Sequence, residues 1–284
     1  MKTHYQRFRR RWVLLAGTVL LGAACTAGPL PAVPPAAPVA GAPNPASVLP
    51  VAKARMSVGV AALDGDDWGV EVYGDGSTYD TASVVKVNIL AALLLKVQDE
   101  DRKLTIREHT YATAMIEHSD NDSADALWRK IGRAEGLDAA NKRLGLTSTK
   151  GGKGMHWGLT QTTAEDQLIL LRAAFAEDSA AASSRTPPEL SQPSRAYIQR
   201  LMSRTEAEQD WGVSAAAGSG WALKNGWLPR TKTGLWDINS VGRVTIDGRR
   251  YLIAVLSDGH ASMESGISLV EKTAKEAIAT VRGR

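Results

Sequence analysis

Ser83 and Lys86 stand three residues apart in "TASVVKVNILAALLL", Thr81 to Leu95. Between Val84 and Leu95 every residue is apolar except Lys86 and Asn88, the composition of a helix surrounded by protein. An ammonium in such a helix costs several kcal/mol unless something pairs with it. The spacing of three puts Ser83 one turn away on the same helical face. Serine is a weak nucleophile at its free pKa and needs a base within hydrogen-bond reach. A desolvated lysine near other cations gives up its proton more readily and can be that base. A serine that opens a helix also sets its own N–H and the positive helix end beside a carbonyl under attack. The pair suggests chemistry, although a Ser-x-x-Lys alone should occur by chance about once in a chain this long.

Two further motifs follow in the chain. "EHSDNDSADALW" holds Ser119, Asp120 and Asn121 just before an amphipathic helix, and "PRTKTGLWD" holds Lys232, Thr233 and Gly234 entering a strand region. Each alone has a plainer explanation: a snorkelling lysine, a helix cap, a strand edge. Together, in this order, they resemble the serine β-lactamase and penicillin-binding protein superfamily, most closely class A β-lactamases, from about Arg55 to Val281. The resemblance implies a nucleophile at Ser83 with Lys86 as its base. It makes Ser119 a proton shuttle to the leaving nitrogen, with Asn121 binding the substrate amide. Lys232 and Thr233 would hold the carboxylate common to β-lactams and to peptides ending in D-Ala-D-Ala. Gly234 would allow close approach to the strand, and the N–H groups of Ser83 and Leu235 would form the oxyanion hole.

The family pattern breaks at one place. Class A enzymes carry a glutamate, on a loop before the "TT" helix, that activates the water freeing the enzyme. Here the interval between Asp138 and Glu165 contains no carboxylate and is basic, with Lys142, Arg143, Lys150 and Lys153. His156 is the one replacement base within it, and Asp237 is a candidate from elsewhere. Acylation is expected to be intact and its reversal by water to be slow. Two other activities fit the same residues: a D-Ala-D-Ala peptidase, or a lipoprotein that captures β-lactams or wall fragments without turnover. A tethered scaffold with a vestigial site is the structural alternative. No spacing of His, Asp, Glu or Cys suggests a metal, with His109, His118 and His260 scattered, and no cofactor is expected.

The elements that must position these residues are legible from pattern. "SVGVAALDG" and "WGVEVYGDG" alternate at period two around a turn at Asp64 and Gly65. Helices are expected from Ser83 to about Arg143, through "TTAEDQLILLRAAF" and through "SRAYIQRLMSR". Strands return in "NSVGRVTI" and "YLIAVLSD" around Asp247 and Gly248, and a closing helix spans about Glu264 to Arg282. The expected fold is α/β of the α+β type, β-lactamase-like: an antiparallel sheet built from both chain ends, flanked by helices, with an all-helical middle layer.

Ahead of this domain, residues 55–284, come two other segments. Residues 1–25 carry five of the chain's 34 basic residues and no acidic one, then an apolar run from Trp12 to Ala24 and the single cysteine, Cys25. Thirteen apolar residues are short for a membrane span, which needs about 20, so an export signal is expected. Cys25 after small residues resembles the lipidation box of bacterial lipoproteins, with Leu21 four residues ahead where the usual box has leucine at three. Residues 26–54 are Pro/Ala-rich, an extended tether. The sequence thus predicts a monomer exported to the outer face of the cytoplasmic membrane, or secreted. Outside the leader, 29 basic residues face 30 acidic ones, which gives no reason to expect nucleic acid.

Overall fold

The computed structural model describes residues 54–64, 69–74, 76–176 and 189–282. The export signal, Cys25 and all of the linker but its last residue lie outside them.

Two strands from the start of the domain and three from its end make a single antiparallel sheet. β1 (Arg55–Ala62) lies between β2 (Val70–Tyr73) and β7 (Arg249–Asp258), and the order continues through β6 (Trp236–Ile246) to β5 (Gly220–Pro229). β6 and β7 turn on Asp247 and Gly248, with φ +50° and +77°, the left-handed pair that a two-residue hairpin requires. Val58 pairs with Tyr73 and with Val255, so β1 is bonded on both sides. Asp64, at the expected turn after β1, accepts the Arg250 N–H at 2.7 Å.

Both faces of the sheet are covered. On one, α7 (Met263–Arg282) lays down Val270, Ala274, Ala277 and Ile278 against Val60, Ile253 and Val255. The other face carries the helical layer: α1 (Val85–Asp99), α2 (Ile106–Glu117), α3 (Asn121–Lys130), α4 (Arg133–Arg143), α5 (Ala164–Phe175) and α6 (Gln192–Met202). A short pair, β3 (Tyr79–Asp80) with β4 (Gln161–Thr162), ties the start of this layer to the segment before α5.

α1 is the centre of the layer, with Val85 to Leu95 buried all round. Asn88, the second polar residue of its apolar run, has a structural use. Its amide donates to Asn141 of α4 at 3.2 Å. Gln167 of α5 reaches Thr162 at 3.0 Å, and Thr162 meets Thr149, which donates to Asp166 at 2.6 Å. This chain of buried polar groups fixes the 144–163 segment beneath the helices, because each partner left unmade would carry a desolvation penalty.

The expected architecture is the observed one, except for β5. No strand was expected over Gly220–Pro229, since "GWALKNGWLP" mixes in Gly, Lys and Asn, which are depleted in strands. It forms an edge of the sheet because it is bonded to β6 along its whole length, from Gly220 opposite Thr245 to Pro229 opposite Trp236.

Candidate active site

Ser83 occupies a single 3-10 turn, Ala82–Val84, that runs directly into α1. The turn is held from three sides. Asn239 of β6 donates to the carbonyls of Asp80 and Thr81 at 2.9 and 3.1 Å. The Thr81 N–H donates to Thr160 at 2.9 Å. Gly226 of β5 lies so close that a Cβ on it would fall 2.7 Å from the Ser83 nitrogen. Only glycine lets the edge strand press against the backbone of the serine.

Lys86 is fully buried, with 0% of its surface exposed, so it does not snorkel. Its Nζ donates to Ser119 O at 2.7 Å, Ser119 Oγ at 3.0 Å and Asn121 Oδ1 at 2.8 Å. The second motif reaches Lys86 through local backbone chemistry. Ser119 adopts φ +54°, and Asp120 caps α3 by accepting the Ser123 N–H at 2.7 Å. With Asp120 turned to the helix end, Ser119 and Asn121 face the lysine. The structure therefore brings Ser83, Lys86, Ser119 and Asn121 to one place, on two helix starts.

The third motif does not join them. Lys232, Thr233 and Gly234 are exposed in the turn between β5 and β6. Thr233 and Gly234 donate to Arg230 O at 3.2 and 2.8 Å, and Gly234 has φ +71°. Its glycine serves the turn and not the approach of a substrate. The Leu235 N–H donates to Thr233 Oγ1 at 3.2 Å, which takes it out of the expected oxyanion hole. Lys232, Thr233 and Leu235 line an open cavity of about 690 Å³ with Arg230 and Asp237, and neither Ser83, Lys86, Ser119 nor Asn121 is part of its wall.

A different triplet, Lys224-Asn225-Gly226 on β5, stands where the site needs one. Gly226 touches the serine turn, and Lys224 is wholly buried. Asn225 points away, its amide donating to Gln209 O and Trp211 O at 2.8 and 2.9 Å. The sequence does carry a signal for Lys224: it follows Ala222 and Leu223, as Lys86 follows Val84 and Val85, whereas Lys232 sits among Arg230, Thr231 and Thr233 in the manner of a solvated turn.

The two buried lysines shape each other's protonation. Burial holds Lys86 well below the ordinary lysine range, and the charge of Lys224 pushes it further down against the pull of Asp120 and Asp125. Burial also pushes Lys224 down to about 7, with Glu206 opposing. A neutral amine at Lys86 has a free lone pair and can act as a base.

The two candidate replacement bases lie on different elements. His156 is exposed and precedes the 3-10 turn Trp157–Leu159. Asp237 is held by Arg230 at 2.6 Å, and burial raises its pKa to about 6. Arg230 also pairs with Asp80, just ahead of the serine turn. Beside Lys86 stands an aromatic ring, Trp157, whose centroid is 4.9 Å from Nζ. Among the described residues no group of three or more His, Cys, Asp or Glu could hold a metal ion.

Known proteins agree with this architecture. The fold is similar to that of the extended-spectrum β-lactamase TLA-1, at 17% identity over 79% of this chain and 92% of that one, with a TM-score of 0.67. It is similar to PBP-A at 18% identity, 84% and 93% coverage and a TM-score of 0.64. A representative of class A β-lactamase from Bacteroides cellulosilyticus matches at 19% identity, 80% and 93% coverage and 0.64. No curated protein matches the sequence. Residues 103–281, well over half of the chain, match the model of the Beta-lactamase enzyme family, and the protein belongs to that family.

Proposed function

We propose that the protein is a serine acyl-transferring hydrolase that forms an acyl-enzyme through Ser83 with β-lactams or related cell-wall amides, and that releases it slowly. The observation carrying this reading is the fully buried Lys86, bound to Ser119 and Asn121 next to a serine whose backbone is pressed by Gly226. Lys86 in its neutral form takes the proton of Ser83 Oγ as the oxygen attacks the carbonyl carbon. All three of its hydrogen bonds go to Ser119 and Asn121, so one must be exchanged for the serine as substrate arrives. Ser119, bonded to Lys86, relays the proton to the leaving nitrogen. The Ser83 N–H stabilises the oxyanion, joined by the N–H of Trp227, which follows Gly226 in the strand. Lys224 takes the part that the motif reading assigns to Lys232: it keeps Lys86 short of a proton and meets the carboxylate of the substrate.

Slow release is supported by the interval 139–164, which has no carboxylate. The carboxylates nearest in effect to Lys86, Asp120 and Asp125, are engaged by Ser123 N–H and by Trp157. These observations favour, as a second reading, a β-lactam or wall-fragment binder without turnover; PBP-A, similar in fold, has been captured in variant form as an acyl-enzyme complex with penicillin G. Export and lipid anchoring at Cys25 remain part of the proposal. Fluorescent penicillin tests it. Ser83→Ala should abolish covalent labelling and keep a cooperative thermal transition, since only a hydroxyl is lost; labelling that persists would assign the chemistry to another nucleophile.

A further inference from the structure

The segment that replaces the usual glutamate-bearing loop is strapped to the serine turn. Thr81 donates from its N–H to Thr160 O at 2.9 Å and from its hydroxyl to Gly158 O at 3.4 Å. A Cβ on Gly158 would lie 3.7 Å from Ala82 Cα. The straps set the half-buried Trp157 beside the site, and its indole touches two titratable groups at once. Its face lies 4.9 Å from Lys86 Nζ, and its Nε1 donates to Asp125 Oδ1 at 2.9 Å. Trp128 steadies the same loop by donating to Gly154 O at 2.7 Å. A flat ring packs against the amine through dispersion. It is also bulky, and its bond occupies one oxygen of Asp125 on the adjoining helix, whose other oxygen accepts from Arg129 at 3.4 Å.

Hydrolysis of an acyl-serine needs a water on the ester carbon and a base to accept one of its protons. The water oxygen bonds to the acyl carbon, the bond from that carbon to Ser83 Oγ breaks, and the base returns the proton to Oγ, leaving the free acid. We propose that Trp157 is a positioning residue that sets the lifetime of the acyl-enzyme, its ring covering the flank of Lys86 from which water would approach and holding Asp125 out of use as a base. This inference rests on acylation of Ser83, and goes beyond it by naming what keeps the ester from water.

The test begins with acyl-enzyme formed on the full chain with benzylpenicillin, freed of excess ligand and followed by intact mass. Trp157→Ala should raise the ratio of the deacylation to the acylation rate constant at least tenfold, with release of penicilloic acid, because a positioned base and admitted water are together capable of about 10²- to 10⁴-fold. Trp157→Phe, which keeps a ring over Lys86, should retain most of the wild-type lifetime. Adding Asp125→Asn to Trp157→Ala should restore a long lifetime. Should Trp157→Ala fail to fold, Trp157→Leu keeps apolar packing for the loop and should move the ratio in the same direction. An unchanged ratio in the variants that fold overturns the inference while leaving acylation standing; a wild-type protein that is never acylated overturns both.

Discussion

At the scale of single residues, the site depends on lysines that are short of protons. Lys86 and Lys224 are both fully buried, and an ammonium in either opposes one in the other. On the proposed mechanism, Lys224→Met should slow acylation by about 10² or more, by removing the charge that would meet the substrate carboxylate and that holds Lys86 neutral. Lys232→Ala should stay within about threefold of wild type, because Lys232 is an exposed turn residue. Second-order rate constants for acylation by a chromogenic cephalosporin measure both. A large loss at Lys232 with none at Lys224 would restore the assignment read from sequence.

At the scale of elements, what the sequence disclosed and what it hid have separate physical causes. The helix carrying Lys86, the Ser119-Asp120-Asn121 cap, the β6–β7 hairpin and the closing helix are marked by periodicity and local turn chemistry, which survive in any context. β5 is marked by neither. The burial of its Lys224, Asn225 and Gly226 depends on pairing with β6 and contact with the serine turn. A Lys-Thr-Gly triplet eight residues on, in a turn, matched the family spelling better than the true strand did. The edge strand also yields a prediction. Gly226→Ala would drive a methyl to 2.7 Å from the Ser83 nitrogen and 2.8 Å from the Thr81 carbonyl, so one of the two elements must shift. Overpacking of this kind costs about 1–3 kcal/mol. Thermal melting should show that loss, and penicillin labelling should fall at least tenfold because the shift falls on the nucleophile. Wild-type labelling in Gly226→Ala would separate β5 from the site.

At the scale of the whole molecule, the buried titratable groups set how stability follows pH. Unfolded, Lys224 holds its proton up to its ordinary 10.5; folded, it releases it at about 7. Between those values the unfolded chain binds more protons, so stability rises with pH by up to about 1.4 kcal/mol per unit for one such group. Asp237 acts in the opposite sense: its folded pKa of about 6 lies above its ordinary 3.8, so its contribution falls as pH rises between them. Together the two groups put the lowest stability near pH 6 to 7, and Lys224→Met should flatten the alkaline rise in chemical denaturation; an unchanged slope would place the protons elsewhere. If the proposed export and lipid anchoring hold, Cys25→Ala should block maturation or release the protein from membranes, as fractionation would show, and unchanged processing and association would end the lipoprotein reading. We propose that this family member acylates at Ser83 with no base in use to free it. The most direct measurement is the time course of intact mass after one addition of benzylpenicillin and removal of the excess. The account predicts a gain of one penicillin equivalent, absent in Ser83→Ala, that decays far more slowly than an ordinary class A acyl-enzyme; rapid return to the native mass with multiple turnover would contradict it.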